Sequence, residues 1–235
     1  MKRRKFILST GTIGLAASLS GCTEDAQEVL DHLPTAGHHS IGQSIEYADL
    51  EITPVVWLTT EEFTFDRGNG ETDRILRTDD MIFLFTKIEI LNTGLEPRAI
   101  PKEGLESSET AVRIGIYHDG NQLPSWGSAN AVQLVSIGEE ELTPYEQAKR
   151  DENSTEYVEP GVTVNGWLIY EISRNFDPRR TMLVVQWEEP ISDAPTPSDG
   201  YDVIVEENPH AFGWEFGEDY EISEDELPRY TLDSR

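Results

Sequence analysis

The side chains of this 235-residue chain that could do chemistry are one cysteine, five histidines and 45 acidic residues. One cysteine cannot form a disulfide within the chain or complete a zinc site built on several thiolates. The sequence contains no G-x-S-x-G nucleophile motif, no H-E-x-x-H metal motif and no P-loop. Among so many acids, a pair of carboxylates identifies no hydrolytic site. We therefore expect a protein that is not an enzyme and that has no cofactor.

The single cysteine stands where a lipid could be attached. Cys22 follows Leu19-Ser20-Gly21 at the end of an apolar run. This order resembles the lipobox of exported lipoproteins, in which the cysteine becomes the first residue and carries the lipid. One acyl chain holds a protein only marginally to a membrane, so a stable anchor needs two. The sequence predicts lipidation of Cys22, and an ordinary signal peptide with an incidental cysteine is the alternative.

An export signal precedes that cysteine. Arg3 and Arg4 lie in a cluster of four basic residues, and the apolar run after it is 14 residues long. A membrane-spanning helix needs about 20 apolar residues, so the run is typical of a signal-peptide core. Paired arginines ahead of such a core are typical of a twin-arginine signal, which exports folded proteins. We expect residues 1–21 to be this signal and the mature chain to face the exterior of the cell membrane.

Histidines and acidic segments indicate no specific metal site. His38 and His39 are adjacent in a predicted tether, where chelation from one face of a strand is unfavourable. His118 lies beside Asp119 at a predicted hairpin end. The segment 66–73 offers oxygen ligands but lacks the spacing of a calcium-binding loop. We expect solvated turns and linkers at these positions and no metal ligand.

One modification motif lies in a predicted loop. Asn153-Ser154-Thr155 has the N-x-[ST] spacing of an N-glycosylation acceptor. In an exported protein such a loop would meet the glycosylation machinery. The motif is short and occurs by chance, so the sequence predicts Asn153 as an acceptor without deciding whether a glycan is attached.

The charge of the chain indicates both its partners and its solvent. The 45 acidic and 18 basic residues give a formal charge of -27. This excess would repel nucleic-acid phosphates, so we expect no nucleic-acid partner. After residue 21 only three lysines remain: Lys87, Lys102 and Lys149. An acid-rich, lysine-poor chain is typical of halophilic archaea, since molar salt screens its self-repulsion. An acidic surface that binds a cationic partner is the alternative.

Hydrophobic patterning predicts an all-β protein. Turn-bounded apolar segments indicate about seven strands, at residues 44–52, 55–58, 81–91, 112–117, 122–126, 162–172 and 181–187. The segment 81–91 starts as a continuous apolar run and ends in alternation, which is typical of a central strand covered on both faces at one end. Pro54 predicts an edge strand or a bulge. The fold class predicted is an immunoglobulin-like antiparallel β-sandwich.

The pattern divides the mature chain into three parts. Residues 22–40 are predicted as a tether, 41–189 as the β-sandwich, and 190–235 as a proline-containing linker with an acidic, aromatic tail. The tail either packs back on the sandwich or is partly disordered. Among the tryptophans, Trp167 and Trp187 are predicted in the core. Trp126 and Trp214 are the better candidates for a contact surface.

Two short elements of the predicted sandwich resemble those of a known family. They are Asn92-Thr93-Gly94 at the end of one strand and Val158-Glu159-Pro160-Gly161 before another. With the strand that starts near Ile41, this order resembles the telokin-like, immunoglobulin-type domain of unknown function found in exported lipoproteins of bacteria and archaea. The resemblance covers about residues 41–189 and implies a surface or secreted protein. It implies no catalytic residues.

The sequence thus favours a membrane-anchored, extracytoplasmic lipoprotein of a halophilic archaeon that acts as a non-enzymatic interaction or binding module. Its expected partners are the membrane, through the lipid on Cys22, and a protein or small molecule of unknown identity. The alternative is a solute-capture or accessory subunit of a transporter or envelope complex.

Overall fold

The computed structural model describes residues 38–66, 72–76, 80–103, 112–126, 133–154, 156–187 and 211–231. The predicted signal peptide, with Arg3 and Arg4, lies outside these residues. So do Cys22, most of the predicted tether and the linker that follows residue 189. None of the helices in the described part of the chain has the length and apolar character needed to span a bilayer.

Strands dominate the described residues. They are β1 (His38–Ser40), β2 (Ile45–Tyr47), β3 (Leu50–Thr60), β4 (Glu62–Asp66), β5 (Thr72–Leu76), β6 (Met81–Asn92), β7 (Arg98–Ala99), β8 (Lys102–Glu103), β9 (Val112–His118), β10 (Asn121–Gln122), β11 (Leu134–Ile137), β12 (Glu140–Leu142), β13 (Tyr157–Val158), β14 (Thr163–Ser173), β15 (Thr181–Trp187) and β16 (Ala211–Glu215). The helices are α1 (Tyr145–Asp151), α2 (Pro228–Thr231) and 3₁₀ turns at Pro178–Arg180, Glu218–Tyr220 and Glu224–Glu226. The all-β class is confirmed.

The central sheet has the antiparallel order β14-β6-β3-β2. Along β6 successive side chains point to opposite faces, and both faces are apolar at its start. Ile82 and Leu84 enter one core cluster, whereas Phe83 and Phe85 enter a second. The sheet is therefore covered on both sides, which confirms the prediction that the segment 81–91 is a central strand.

A bulge in β3 lets one strand serve both clusters. Its pairing with β6 shifts register between Pro54 and Val56. Before the bulge Ile52 faces the first cluster, and after it Trp57 does, while Leu58 faces the second. The odd spacing between Ile52 and Trp57 requires the extra residue. Of the two structures that Pro54 predicts, the bulge is confirmed.

One covering sheet, here called the front sheet, packs over the first cluster. Its order is β1-β16-β15-β9-β10, and β8 also pairs with β9. Inner side chains such as Ile114, Leu183, Val185 and Trp214 meet the central sheet. The β1–β16 and β8–β9 pairs are parallel, unlike the antiparallel pairing predicted. Both pairs join distant segments, and alternation within a strand carries no signal of its partner's direction.

A third sheet, here called the back sheet, packs over the second cluster. Its order is β12-β11-β4-β5, and it brings Phe63, Phe65, Val135 and Ile137 against the central sheet. The Phe63 and Trp126 rings pack edge to face, with centroids 4.7 Å apart. Two of its strands, β11 and β12, come from a polar stretch in which the hydrophobic pattern predicts no strand. The sandwich therefore has a third layer.

The segment 216–231 runs from the front sheet to the back sheet. The Ile222 amide donates to the Trp57 carbonyl at 2.8 Å. Trp57 belongs to the part of β3 that follows the residues paired with β2. Further on, the Lys87 ammonium donates to the Tyr230 carbonyl at 2.9 Å, and Leu227 is buried in the second cluster. Together with β16, this segment shows that residues 211–231 pack back on the sandwich.

Helix α1 lies directly on the central sheet because Gly166 of β14 has no side chain. A Cβ at position 166 would lie 2.6 Å from the Tyr145 Cα atom and 3.0 Å from the Ala148 Cβ atom. Both residues of the helix are buried in the first cluster. The glycine therefore sets the distance between the helix and the strand.

We expect Gly166→Ala to lower the free energy of unfolding by about 2 kcal/mol, because the helix must move or the strand must distort. Denaturant unfolding in molar salt measures the change. Gly217→Ala is the matched control, since its Cβ would meet nothing nearer than the Tyr220 ring at 4.0 Å. Equal stability of the two variants would contradict the assigned role of Gly166.

Candidate functional site

The residues predicted to carry modifications are only partly described. Arg3, Arg4 and Cys22 lie outside the described residues. Asn153 is exposed just after α1, with a left-handed φ of +53° that asparagine tolerates better than most residues. The adjacent Ser154 is buried. The Asn153 side chain is thus open to solvent, as an acceptor requires.

The three described histidines lie in strands. His38 and His39, predicted in the tether, belong to β1, and the His39 ring lies 6.2 Å from the Trp214 ring. His118 ends β9, with Nδ1 3.0 Å from the Thr181 hydroxyl. In the described ranges, no three His, Cys, Asp or Glu side chains are grouped to hold a metal ion.

The predicted tryptophan contact surface is wrong. Trp126 and Trp214 are both buried, like Trp167 and Trp187, which were predicted in the core. Trp126 packs in the second cluster, and the Trp214 indole donates to the Gln43 carbonyl at 2.8 Å. Their irregular sequence context reflects layers that only long-range pairing creates.

The side chain of Asn92 joins two loops at one end of the sandwich. It is 1 % exposed, and its amide nitrogen donates to the Glu96 and Val158 carbonyls, each at 2.8 Å. Its Oδ1 accepts from the Gly94 amide at 2.8 Å. The backbone adds a bond from the Gly161 amide to the Asn92 carbonyl at 2.9 Å. One buried side chain therefore holds the segments 93–97 and 157–161 together.

These two joined segments expose large apolar side chains. Leu95 is 96 % exposed, and Tyr157, next to Val158, is 57 % exposed. Three exposed carboxylates accompany them, those of Glu96, Glu156 and Glu159. We call this set of five residues the Leu95–Tyr157 surface. Single exposed apolar side chains are ordinary on a protein surface, so it is the presence of two of them on joined segments that makes this surface a candidate contact.

A basic side chain near this surface is already paired. Arg98 of β7 forms an ion pair with Asp49, which has a left-handed φ of +64°. A carboxylate of Asp49 therefore neutralises the arginine in the segment that follows Leu95. The exposed charges of the Leu95–Tyr157 surface itself are all negative.

A cluster of polar side chains shielded from solvent forms where β8, α1 and β14 meet. Glu103 is half-buried as a residue, but its Oε1 atom, like the Tyr170 hydroxyl, is almost fully shielded from solvent and has no hydrogen-bond partner among the described residues. The Tyr145 hydroxyl donates to the Pro101 carbonyl at 2.8 Å. Burial raises the pKa of Glu103 to about 8; the Glu146 carboxylate adds to the rise, whereas Lys149 and Ser125 oppose it. At neutral pH this carboxyl is protonated.

An open cleft lies beside the end of β3. It has a volume of about 350 Å³, and its lining includes Thr59, Thr60, Glu61, Arg174 and Glu224. The Arg174 guanidinium pairs with Glu61 and lowers the pKa of that carboxyl. Pockets for small ligands are mostly apolar, so this polar, ion-paired cleft is a weaker candidate than the exposed surface.

Sequence reasoning interpreted Asn92 only as a turn residue and missed Leu95, Tyr157 and Glu103. Leu95 did have a signal, because it is an isolated leucine between Gly94 and a polar turn. Glu103 had none, since it is one of 45 acidic residues and only burial distinguishes it.

We expect Asn92→Ala to lower the free energy of unfolding by about 3 kcal/mol, because the buried Val158 carbonyl and the partly buried Glu96 carbonyl lose their donor and the Gly94 amide loses its acceptor. Asn165→Ala is the control: its amide lies 3.4 Å from a Glu89 oxygen, so its loss costs less than about 1 kcal/mol. Denaturant unfolding of both variants tests this. A cost for Asn92→Ala as small as the control's would show that the two loops hold together without the amide.

Comparison with known proteins identifies no family for this chain. No family model matches the chain, and no curated protein does. Solved structures that match include a conserved hypothetical protein from Bacillus anthracis, at 12 % identity and a TM-score of 0.38, covering 63 % of this chain and 87 % of that one. The yjhA protein from Bacillus subtilis has 13 % identity and a TM-score of 0.39, covering 75 % and 98 %. An uncharacterized β-sandwich protein from Clostridium difficile 630 has 11 % identity and a TM-score of 0.36, covering 77 % and 93 %.

Proposed function

We propose that this chain is a lipoprotein anchored through Cys22 at the outer face of the cell membrane and acts there as a non-enzymatic interaction module. The observation that carries the proposal is the Leu95–Tyr157 surface. Leu95 and Tyr157 project from segments that a buried asparagine locks together, so the surface is pre-organised. A pre-organised apolar contact loses little conformational entropy when a partner binds.

The arrangement around Asn92 also supports membership of the telokin-like lipoprotein family, which we propose on the two short elements quoted above. Asn92 of the first element bonds Val158 and Gly161 of the second. The two elements that carry the resemblance are therefore the two sides of one hydrogen-bonded junction. Export by a twin-arginine signal through Arg3 and Arg4, and a glycan on the exposed Asn153, belong to the same proposal.

The placement of the lysines supports a high-salt environment. Lys87 is 2 % exposed and Lys149 is 3 % exposed, so two of the three lysines after residue 21 are buried. Apart from the half-buried Lys102, the charged side chains exposed in the described residues are those of acids and arginines. In molar salt the Debye length falls to about 3 Å, which suppresses long-range attraction between charges. Apolar contact keeps its strength there, which is why we assign the binding energy to Leu95 and Tyr157.

Solute capture by a transporter accessory subunit is the second candidate, and the cleft beside Thr60 is the observation that favours it. The two functions differ in what stays bound during purification. A small molecule retained in native mass spectrometry would favour solute capture, and a bare mass would favour a protein partner.

We expect a photo-crosslinking residue placed at Leu95 or at Tyr157 to form the same discrete adduct on intact cells. The reason is that burial of one leucine stabilises a contact by about 2 kcal/mol, or more than roughly tenfold in affinity. Leu76, which is 61 % exposed on β5 of the back sheet, is the control position. The same set of adducts from all three positions would contradict a specific surface.

We expect Cys22→Ser to move the protein from the detergent phase to the aqueous phase in phase partitioning, because the variant has no thiol to carry the lipid. Thr23→Ala, which leaves the thiol in place, is the control and should stay with the detergent. Membrane retention of the serine variant would rule out anchoring at this residue.

A further inference from the structure

The surroundings of the Glu103 carboxyl disfavour its ionised form. Its Oε1 is shielded from solvent and unpartnered in the described structure. The nearby ammonium of Lys149 donates to Glu146 at 2.7 Å and is itself buried. The nearby positive charge is therefore already paired with one carboxylate, and an ionised Glu103 would have to share that single ammonium with Glu146.

The groups around this carboxyl come from four elements. Helix α1 contributes Tyr145, Glu146 and Lys149, and β14 contributes the buried Tyr170. The pKa of each tyrosine is raised well above its usual value, first by burial and further by the charges around it, Glu103 included. Neighbouring charged or titratable residues on the strands are Lys102 of β8, and Arg113 and Tyr117 of β9.

The same neighbours fix where the segment 98–103 docks. The Tyr145 hydroxyl holds the Pro101 carbonyl at 2.8 Å, and the Ile100 amide donates to the Glu156 carbonyl at 3.0 Å. Ser125 hydrogen-bonds the Glu103 carboxyl and pairs with Tyr170 through a backbone bridge. Glu103 thus lies where β8, α1 and β14 meet, and β8 is only two residues long.

We propose that Glu103 is a proton-controlled latch: the protonated carboxyl lets the segment 98–103 dock against α1 and β14, and loss of the proton releases it. A poorly solvated charge that must share one ammonium with Glu146 is costly enough for the segment to open instead and expose the carboxylate to water. The latch acts as a pH-sensitive device whether or not the Leu95–Tyr157 surface binds a partner.

The latch also reaches that surface through the backbone. β7 lies between Leu95 and Glu103 along the chain, and its pairing with β13 places Ala99 opposite Tyr157. Release of the segment 98–103 would loosen the position of Tyr157 relative to Leu95. Alkaline conditions would then weaken whatever contact this end of the sandwich makes.

The sign of the pH dependence follows from the direction of the pKa shift. Above the ordinary pKa of 4.5 the open state loses the proton, while the closed state keeps it up to about pH 8. Opening therefore becomes easier as the pH rises through this window. Between pH 6.5 and 8.5 the opening equilibrium should rise roughly 20-fold by this linkage.

Hydrogen exchange of the full chain in molar potassium chloride tests the latch. We expect peptides covering 98–103 and 145–154 to lose roughly 20-fold in protection between pH 6.5 and 8.5, after correction for the intrinsic exchange rate. Glu103→Gln keeps the size of the side chain without its charge and should remove this loss. Glu62→Gln, a change at an exposed ion pair with Arg74, should leave it intact.

A second measurement keeps the test decisive if Glu103→Gln does not fold. The ¹³C shift of the wild-type Glu103 carboxyl should titrate near pH 8. A titration near 4.5, or protection of both peptides that does not change with pH in the wild type, would overturn the proposal.

Discussion

The architecture depends on one constraint: a central sheet that is apolar on both faces must be covered twice. β6 and β14 present large side chains alternately to each side, from Phe83 and Phe85 on one face to Leu84 and Leu168 on the other. An uncovered face would leave several aromatic rings in water, at about 25 cal/mol for each Å² of apolar surface. The front and back sheets, and the segment 216–231 that joins them, satisfy this requirement.

The covering layers explain why irregular parts of the sequence become ordered. The back sheet and α1 are built largely from polar stretches with few apolar residues, such as Val135, Ile137 and Leu142, and each of these three enters the second cluster. The C-terminal segment contributes Leu227 in the same way. A few well-placed apolar side chains suffice because the central sheet already offers a matching surface.

Buried polar groups then determine what the ends of the layers can do. Asn92 satisfies three backbone groups and makes one end rigid. Glu103 has the opposite character, because its shielded Oε1 has no hydrogen-bond partner among the described residues and burial raises the pKa of its carboxyl. The proposed contact surface and the proposed latch thus depend on neighbouring parts of the chain, joined by the pairing of β7 with β13.

The residue pattern by itself determined the all-β class, the doubly covered β6 and the core positions of Trp167 and Trp187, and at Pro54 it left an edge strand or a bulge as the two possibilities. Each of these depends on local periodicity or on the geometry of one residue. Only the tertiary structure decided the third layer, the parallel pairs, the burial of Trp126 and Trp214 and the distinct roles of Leu95 and Glu103. The physical reason is that residues far apart in the chain set the pairing partners of strands and the burial of side chains. Residue type alone does not distinguish an exposed leucine or a shielded glutamate from the others in the sequence.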